Sequence, residues 1–180
     1  MHRLFVALRP PLDIRDALAD LMDGVPGARW QDDEQLHLTL RFIGAVDRPV
    51  AEDVAAVLSA VHAPAPEVAL AGVGRFDHRG RTEALWAGVQ PHDALAALHR
   101  KVDQAMVRVG LAPERRAYLP HITLARLPRG AQAEIEVEAW LARHAALASH
   151  AFTLSHLILY ESHLGRAGAA YEAIARWPLG

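Results

Sequence analysis

The sequence predicts a single α+β domain over residues 1–180, built as a bilobal, pseudo-twofold body whose two similar halves face a common cleft. Three observations carry this. A His-x-Thr phrase set among alternating apolar residues occurs twice, at His37-Leu-Thr-Leu and at His121-Ile-Thr-Leu. The order strand, helix, His-x-Thr strand, helix, strand is read from the start of the chain and again from Ala84. The helix starts also agree, Pro11-Leu-Asp13 against Pro91-His-Asp93. The approximate repeats cover residues 3–76 and 84–160, and a last strand over 171–177 completes the body.

Taken in order, Leu4 to Leu8 is a short buried strand stopped by Pro10 and Pro11. Asp13 offers negative charge to the start of a helix that carries Ile14, Leu18, Leu21 and Met22 at helical spacing. Trp30 begins a short strand. Leu36 to Phe42 alternates without a break, so strict strand periodicity places Leu36, Leu38, Leu40 and Phe42 on one face and His37, Thr39 and Arg41 on the other. Pro49 marks the first turn of a helix through Val50, Val54, Leu58 and Val61. Val68 to Val73 is a strand, and Gly74 to Arg81 reads as a basic exposed loop. Ala84 to Val89 is a strand, followed by a helix carrying Leu95, Leu98, Val102 and Met106 and closed by Gly110. The second His-x-Thr strand follows Pro120. A helix is expected after Gly130, although Glu134 to Glu138 alternates like a strand. Phe152 to Tyr160 and Tyr171 to Trp177 are strands.

Composition narrows the function classes. Of 180 residues, 52% are apolar and 22% charged, which is ordinary for a globular chain. The formal net charge of −2 makes no global commitment to nucleic acid or to an anionic membrane. The absence of cysteine excludes disulfides, zinc-thiolate sites and a Cys nucleophile. No apolar run reaches the ~18 residues of a membrane span, and the N-terminus reads as a strand rather than a signal peptide. A cytoplasmic monomer that does not engage membranes is expected. The histidines outside the two motifs show no metal-ligand spacing, and no Gly-x-Ser-x-Gly elbow is present. No metal and no cofactor are expected.

The paired motif carries the chemistry. A strand sets His and Thr on one face, so each pair can hold a phosphate from one side, and two pairs can hold it from both. Histidine titrates near neutrality, so a neutral ring can take a proton from water while a protonated ring gives one to a departing alkoxide. The threonine hydroxyls can orient the phosphoryl oxygens and stabilise the charge that builds on them. One such histidine on a strand is ordinary structure; two in matching places of a duplicated chain are not. Arg75 to Arg81 and the pair Arg115 and Arg116 are either solvated surface or guides for an RNA backbone.

Together the motifs resemble the 2H phosphoesterase superfamily, and within it the bacterial and archaeal RNA 2′,3′-cyclic phosphodiesterases, historically called 2′-5′ RNA ligases. The resemblance rests on Arg3-Leu-Phe-Val-Ala-Leu8, Trp30, His37-Leu-Thr-Leu-Arg-Phe-Ile-Gly44, Leu85-Trp-Ala-Gly-Val89, Pro120-His-Ile-Thr-Leu-Ala-Arg126, Leu159-Tyr-Glu-Ser162 and Trp177-Pro-Leu179. It implies two antiparallel sheets lining the cleft, with helices outside. It implies metal-independent hydrolysis of an RNA 2′,3′-cyclic phosphate to a 2′-phosphomonoester, with RNA ends or oligonucleotides as partners. His37 is implied as proton donor, His121 as proton acceptor, and Thr39, Thr123 and Arg126 as phosphate contacts. Strict alternation turns Arg126 away from His121, so that role needs a bend or bulge. Phe42 stands at the same offset in the first motif and is a candidate contact to ribose or base. Arg41 has the right parity for the site but no implied role.

Other readings share these residues. Run in reverse, the site joins a 5′-hydroxyl to the cyclic phosphate without ATP, and the sequence does not separate ligation from hydrolysis. A relative acting on small cyclic or 2′-5′-linked nucleotides, and a non-enzymatic RNA-binding module, are further alternatives. The last leaves the duplicated motif unexplained.

Overall fold

The computed structural model describes all residues 1–180. Its strands are β1 (His2–Leu8), β2 (Arg29–Trp30), β3 (Leu38–Val46), β4 (Glu67–His78), β5 (Arg81–Gln90), β6 (His121–Arg126), β7 (Phe152–Thr153), β8 (His156–Gly165) and β9 (Gly168–Pro178). Its helices are α1 (Leu12–Ala19), α2 (Arg48–Leu58), α3 (Asp93–Arg108) and α4 (Glu134–His144). No helix is long and apolar enough to cross a membrane.

The strands are hydrogen-bonded in the order β7-β4-β5-β6-β3-β1-β8-β9, with β2 also on β6, and every pairing is antiparallel. The order is symmetric about the middle. β5 flanks β6 as β1 flanks β3, and β4 flanks β5 as β8 flanks β1. The two half-sheets meet at one register pair, Leu38 opposite Ile122. β4, from the first half of the sequence, thus lies in the sheet of the second, and β8 makes the reverse exchange.

The helices cover one face. Their buried residues, including Ile14, Leu18, Val54, Leu58, Leu98, Val102, Val137 and Trp140, join Leu4, Val6, Leu38, Leu85, Ile122 and Leu157 in the main core. The opposite face of β1 and β8 carries a small separate cluster of Phe5, Ala7, Ile158 and Tyr160. Central strands wanted on both faces read as continuous apolar runs, which is why Leu4 to Leu8 is apolar throughout. Asp47 caps α2 by accepting the Val50 amide at 3.1 Å, with Pro49 in the first turn. The segment after Gly130 is helical, as its Val137 and Trp140 spacing implies.

Three expectations are corrected. The first motif strand begins at Leu38 rather than Leu36, and its alternation is broken. Ala7 pairs with Thr39 and Val6 with Arg41, so Leu40 is an extra residue in β3. Arg41 therefore turns into the core, 7% exposed, and Phe42 turns out to 46%. Residues 74–81 are not a loop: β4 runs to His78 and turns tightly into β5. Arg79 and Gly80 both take positive φ, +53° and +76°, the twist that a two-residue hairpin requires. Arg75 is held there by Glu138 at 2.6 Å, Asp77 at 3.4 Å and Glu134 at 3.7 Å, so it is not a free basic group. Finally, Phe152 to Tyr160 is two strands, interrupted at Leu154 and Ser155 where the chain leaves β4 for β1.

Candidate active site

A cavity of about 480 Å³ lies where the half-sheets meet, with His99 of α3 in its lining. His37, Thr39, Phe42, His121, Thr123 and Arg126 all line it. A second hollow of about 380 Å³ shares His37, Thr39, Phe42 and Arg126 and is walled further by Arg3, Phe5, Ser162, Leu164 and Tyr171. The two hollows form one cleft that pivots on His37 and Arg126.

Both histidines are held in the same way. His37 Nδ1 lies 2.7 Å from the carbonyl of Gln35, and His121 Nδ1 lies 2.7 Å from the carbonyl of Leu119. A carbonyl only accepts, so Nδ1 carries the proton in each neutral ring and Nε2 is left for chemistry. His37 Nε2 accepts from the Thr39 hydroxyl at 2.9 Å. Each accepting carbonyl belongs to the residue two places before its histidine, so one local device serves both motifs.

Burial pushes the His37 imidazolium down, from 6.5 to about 4, against an opposing pull from the Gln35 carbonyl and with help from the charges of Arg126 and His121. His121 is lowered as well, first by burial and then by Arg126, while the Leu119 carbonyl raises it. Both rings are therefore neutral in the free protein near pH 7. An anion lying between them and Arg126 opposes this depression, so that one of the two rings can hold a proton near neutral pH.

Arg126 reaches the cleft because β6 is bulged. Trp86 pairs with Thr123 and Leu85 with Ala125, so Leu124 is the extra residue and Arg126 falls on the side of His121. Arg126 and His121 thus line the same cavity, which strict alternation does not allow.

The chain matches the model of the 2′-5′ RNA ligase superfamily over residues 7–166. It belongs to that superfamily. Among curated relatives, the RNA 2′,3′-cyclic phosphodiesterase of Geobacillus stearothermophilus is 34% identical over 97% of this chain. The chain spans 56% of the length of that relative. The Aeropyrum pernix protein of the same name is 30% identical over 89% of this chain and 90% of its own. Among solved structures, apo Escherichia coli LigT has a TM-score of 0.79 at 24% identity, over 99% of this chain and 97% of that one. A Thermus thermophilus protein, TT0787, has a TM-score of 0.81 at 23% identity, over 98% and 97%. These structures share the α+β fold and its antiparallel strands.

In this member of the superfamily, aromatic side chains that sequence reasoning missed enclose the two histidines. Phe5 lies 4.9 Å from His37 between ring centres, and Tyr171 meets His37 edge-on at 5.3 Å. Phe76 meets His121 edge-on at 4.9 Å. Tyr118 donates to the Thr39 carbonyl at 3.1 Å and stacks on His99 at 4.3 Å. Arg3 lies 5.4 Å from the ring centre of Phe42. Phe5 sits in an all-apolar run that hides its face, and Phe76 lies in the stretch that reads as a loop.

One group has metal-ligand character. Glu161, His163 and Glu172 place their ligand atoms within 4.8 Å of one another. They stand on the face of β8 and β9 turned from the cleft, and they are already paired, His2 with Glu161 at 2.8 Å and His163 with Glu172 at 3.0 Å. None of them touches the histidine pair.

Proposed function

We propose that the protein hydrolyses RNA 2′,3′-cyclic phosphates to 2′-phosphomonoesters, using His37 and His121 as acid and base. The observation that carries this is the matched seating of the two imidazoles, each fixed through Nδ1 and each offering Nε2 to one cleft. The curated relatives named RNA 2′,3′-cyclic phosphodiesterase support the substrate class.

In this reading Thr39, Thr123 and Arg126 bind the phosphoryl oxygens. Neutral His121 takes a proton from water as the water oxygen attacks phosphorus. The bond from phosphorus to the 3′ oxygen breaks, and protonated His37 gives its Nε2 proton to that oxygen. Phosphate binding lets His37 take up from solvent the proton that it lacks in the free protein, because a nearby anion raises a pKa that burial has lowered. Once Nε2 is protonated, the Thr39 hydroxyl no longer donates to it and is free to turn to the phosphate. No step calls for a metal.

The test is incubation with an oligoribonucleotide ending in a 2′,3′-cyclic phosphate, in the presence of EDTA. The 2′-phosphomonoester is the expected product, lost in His37→Ala and His121→Ala. Turnover undiminished in both variants, or none in the wild type, sinks the proposal. The shared cleft favours one second reading, because space on both sides of His37 also admits a 5′-hydroxyl RNA in place of water. A longer, 2′-5′-joined product on adding such an RNA is its test.

A further inference from the structure

Arg41 makes no contact with the cleft, yet the segment that delivers His121 is fastened to it. The bulge at Leu40 drives Arg41 behind β3, where its guanidinium spans three groups. Nε donates to Asp103 Oδ1 of α3 at 2.9 Å, one terminal nitrogen donates to the Phe42 carbonyl at 2.6 Å, and the other donates to the Ala112 carbonyl. Asp103 Oδ1 in turn accepts the Glu114 amide at 2.9 Å.

Residues 109–120 contain no helix or strand. That stretch forms one wall of the larger hollow, through Glu114, Arg116, Tyr118 and Leu119, and ends at His121. Its last carbonyl but one, at Leu119, is the one that holds His121 Nδ1. With β3 and β6 joined by a single register pair, little backbone pairing fixes one histidine relative to the other. Arg41 and Asp103 hold the near end of the segment, and the Tyr118 hydroxyl holds it to the Thr39 carbonyl farther along.

We propose that Arg41, clamped by Asp103, is a positioning residue for His121: it locks the 112–120 segment against β3 and α3 so that the Leu119 carbonyl seats the imidazole. Net stability does not account for such a pair, since a buried ion pair exchanged for apolar side chains is often neutral or stabilising. A planar fork reaching a carboxylate and two carbonyls at once is a task for arginine, not lysine.

The inference rests on the hydrolase reading for its kinetic test, and a spectroscopic test stands apart from it. The double variant Arg41→Leu with Asp103→Leu removes both charges together. Its thermal midpoint should stay near that of the wild type, while kcat on a 2′,3′-cyclic phosphate oligonucleotide falls roughly 10- to 100-fold, as for a displaced catalytic group, with KM changing less than kcat. Wild-type kcat in a folded double variant overturns the proposal. If the double variant does not fold, Arg41→Lys decides: it keeps the charge beside Asp103 but cannot also hold Ala112, so kcat should fall about tenfold or more, and wild-type kcat overturns the proposal. If the wild type has no turnover, the hydrolase reading fails, and the clamp is read by NMR from the His121 Nδ1 proton. That proton should exchange faster with solvent in the variants; unchanged exchange overturns the clamp.

Discussion

Leu40 and Leu124 each stand three residues after a cleft histidine, and each is the residue that the neighbouring strand skips. β1 passes from Thr39 to Arg41 in one step, and β5 passes from Thr123 to Ala125 in the same way. Both leucines are buried, at 2% and 0% exposure. Without the bulges, Phe42 and Arg126 would lie in the core and Arg41 in the cleft. With them, each motif presents three side chains to the cleft: histidine, threonine, and the residue five places after the histidine. The third position differs between halves, aromatic in one and cationic in the other.

Arg126 is the cationic member, and its removal tests that geometry. A hydrogen bond to a charged group contributes about 1.5–3 kcal/mol. In Arg126→Ala, kcat/KM on a cyclic phosphate end should therefore fall roughly 10- to 100-fold. Its positive charge also depresses both imidazoles, so an NMR titration of the variant should place His37 and His121 at higher pH than in the wild type. Unmoved titrations would put the guanidinium outside the site.

The depressed imidazoles set the pH dependence. For kcat/KM the free protein counts, so the base limb falls below the ordinary histidine value of 6.5, and so does the loss of the acid form. The kcat/KM profile should be a bell centred on the acid side of pH 6.5. The profile of kcat should lie at higher pH, because the bound anion raises His37. Each pair of apparent values belongs to the coupled histidines rather than to one ring. A kcat/KM that climbs steadily to pH 8 contradicts the scheme.

Much of this site was legible in the sequence. The recurrence of His-x-Thr located both histidines and both threonines, and the helix and strand order located the elements between them. The face assignments of Arg41 and Phe42 were not legible. They depend on one skipped residue, and alternating Leu38, Leu40 and Phe42 suits an unbulged strand equally well. The bulge was foreshadowed only at Arg126, where the implied role and the parity disagreed. The β4–β5 hairpin was hidden for a different reason. Arg75, His78, Arg79 and Arg81 read as loop because the acidic partners of Arg75 on α4, Glu134 and Glu138, lie far along the chain. The exchange of β4 and β8 between half-sheets is a property of pairing, on which local periodicity is silent.

Stability should report His37 independently of catalysis. The ring binds its proton near pH 4 when folded and near 6.5 when unfolded. Between those values the unfolded chain takes up the proton and the folded chain does not, so stability falls as pH falls from 6.5 towards 4. Below pH 4 both states are protonated and this contribution changes no further. In His37→Gln the drop in thermal midpoint across that window should be smaller than in the wild type. Equal drops would show that the ring is not held below its ordinary value.

Gly74 offers a test of the aromatic wall. A Cβ built there would lie inside the Trp86 indole, against Cζ2, Cη2 and Cε2. The glycine is thus the space into which the ring lies, and Trp86 in turn packs 5.6 Å from Phe76 and 6.0 Å from His121. In Gly74→Ala the indole must tilt or β4 must part from β5, since the obstruction is a rigid ring. Overpacking of this kind costs about 1–3 kcal/mol, to be read as a lower midpoint in chemical denaturation. The displaced ring presses on Phe76 and His121, so kcat should fall as well, and the tryptophan emission should shift. A variant with unchanged stability and emission would mean that the wall gives way without cost, and that His121 is seated by its backbone carbonyl alone.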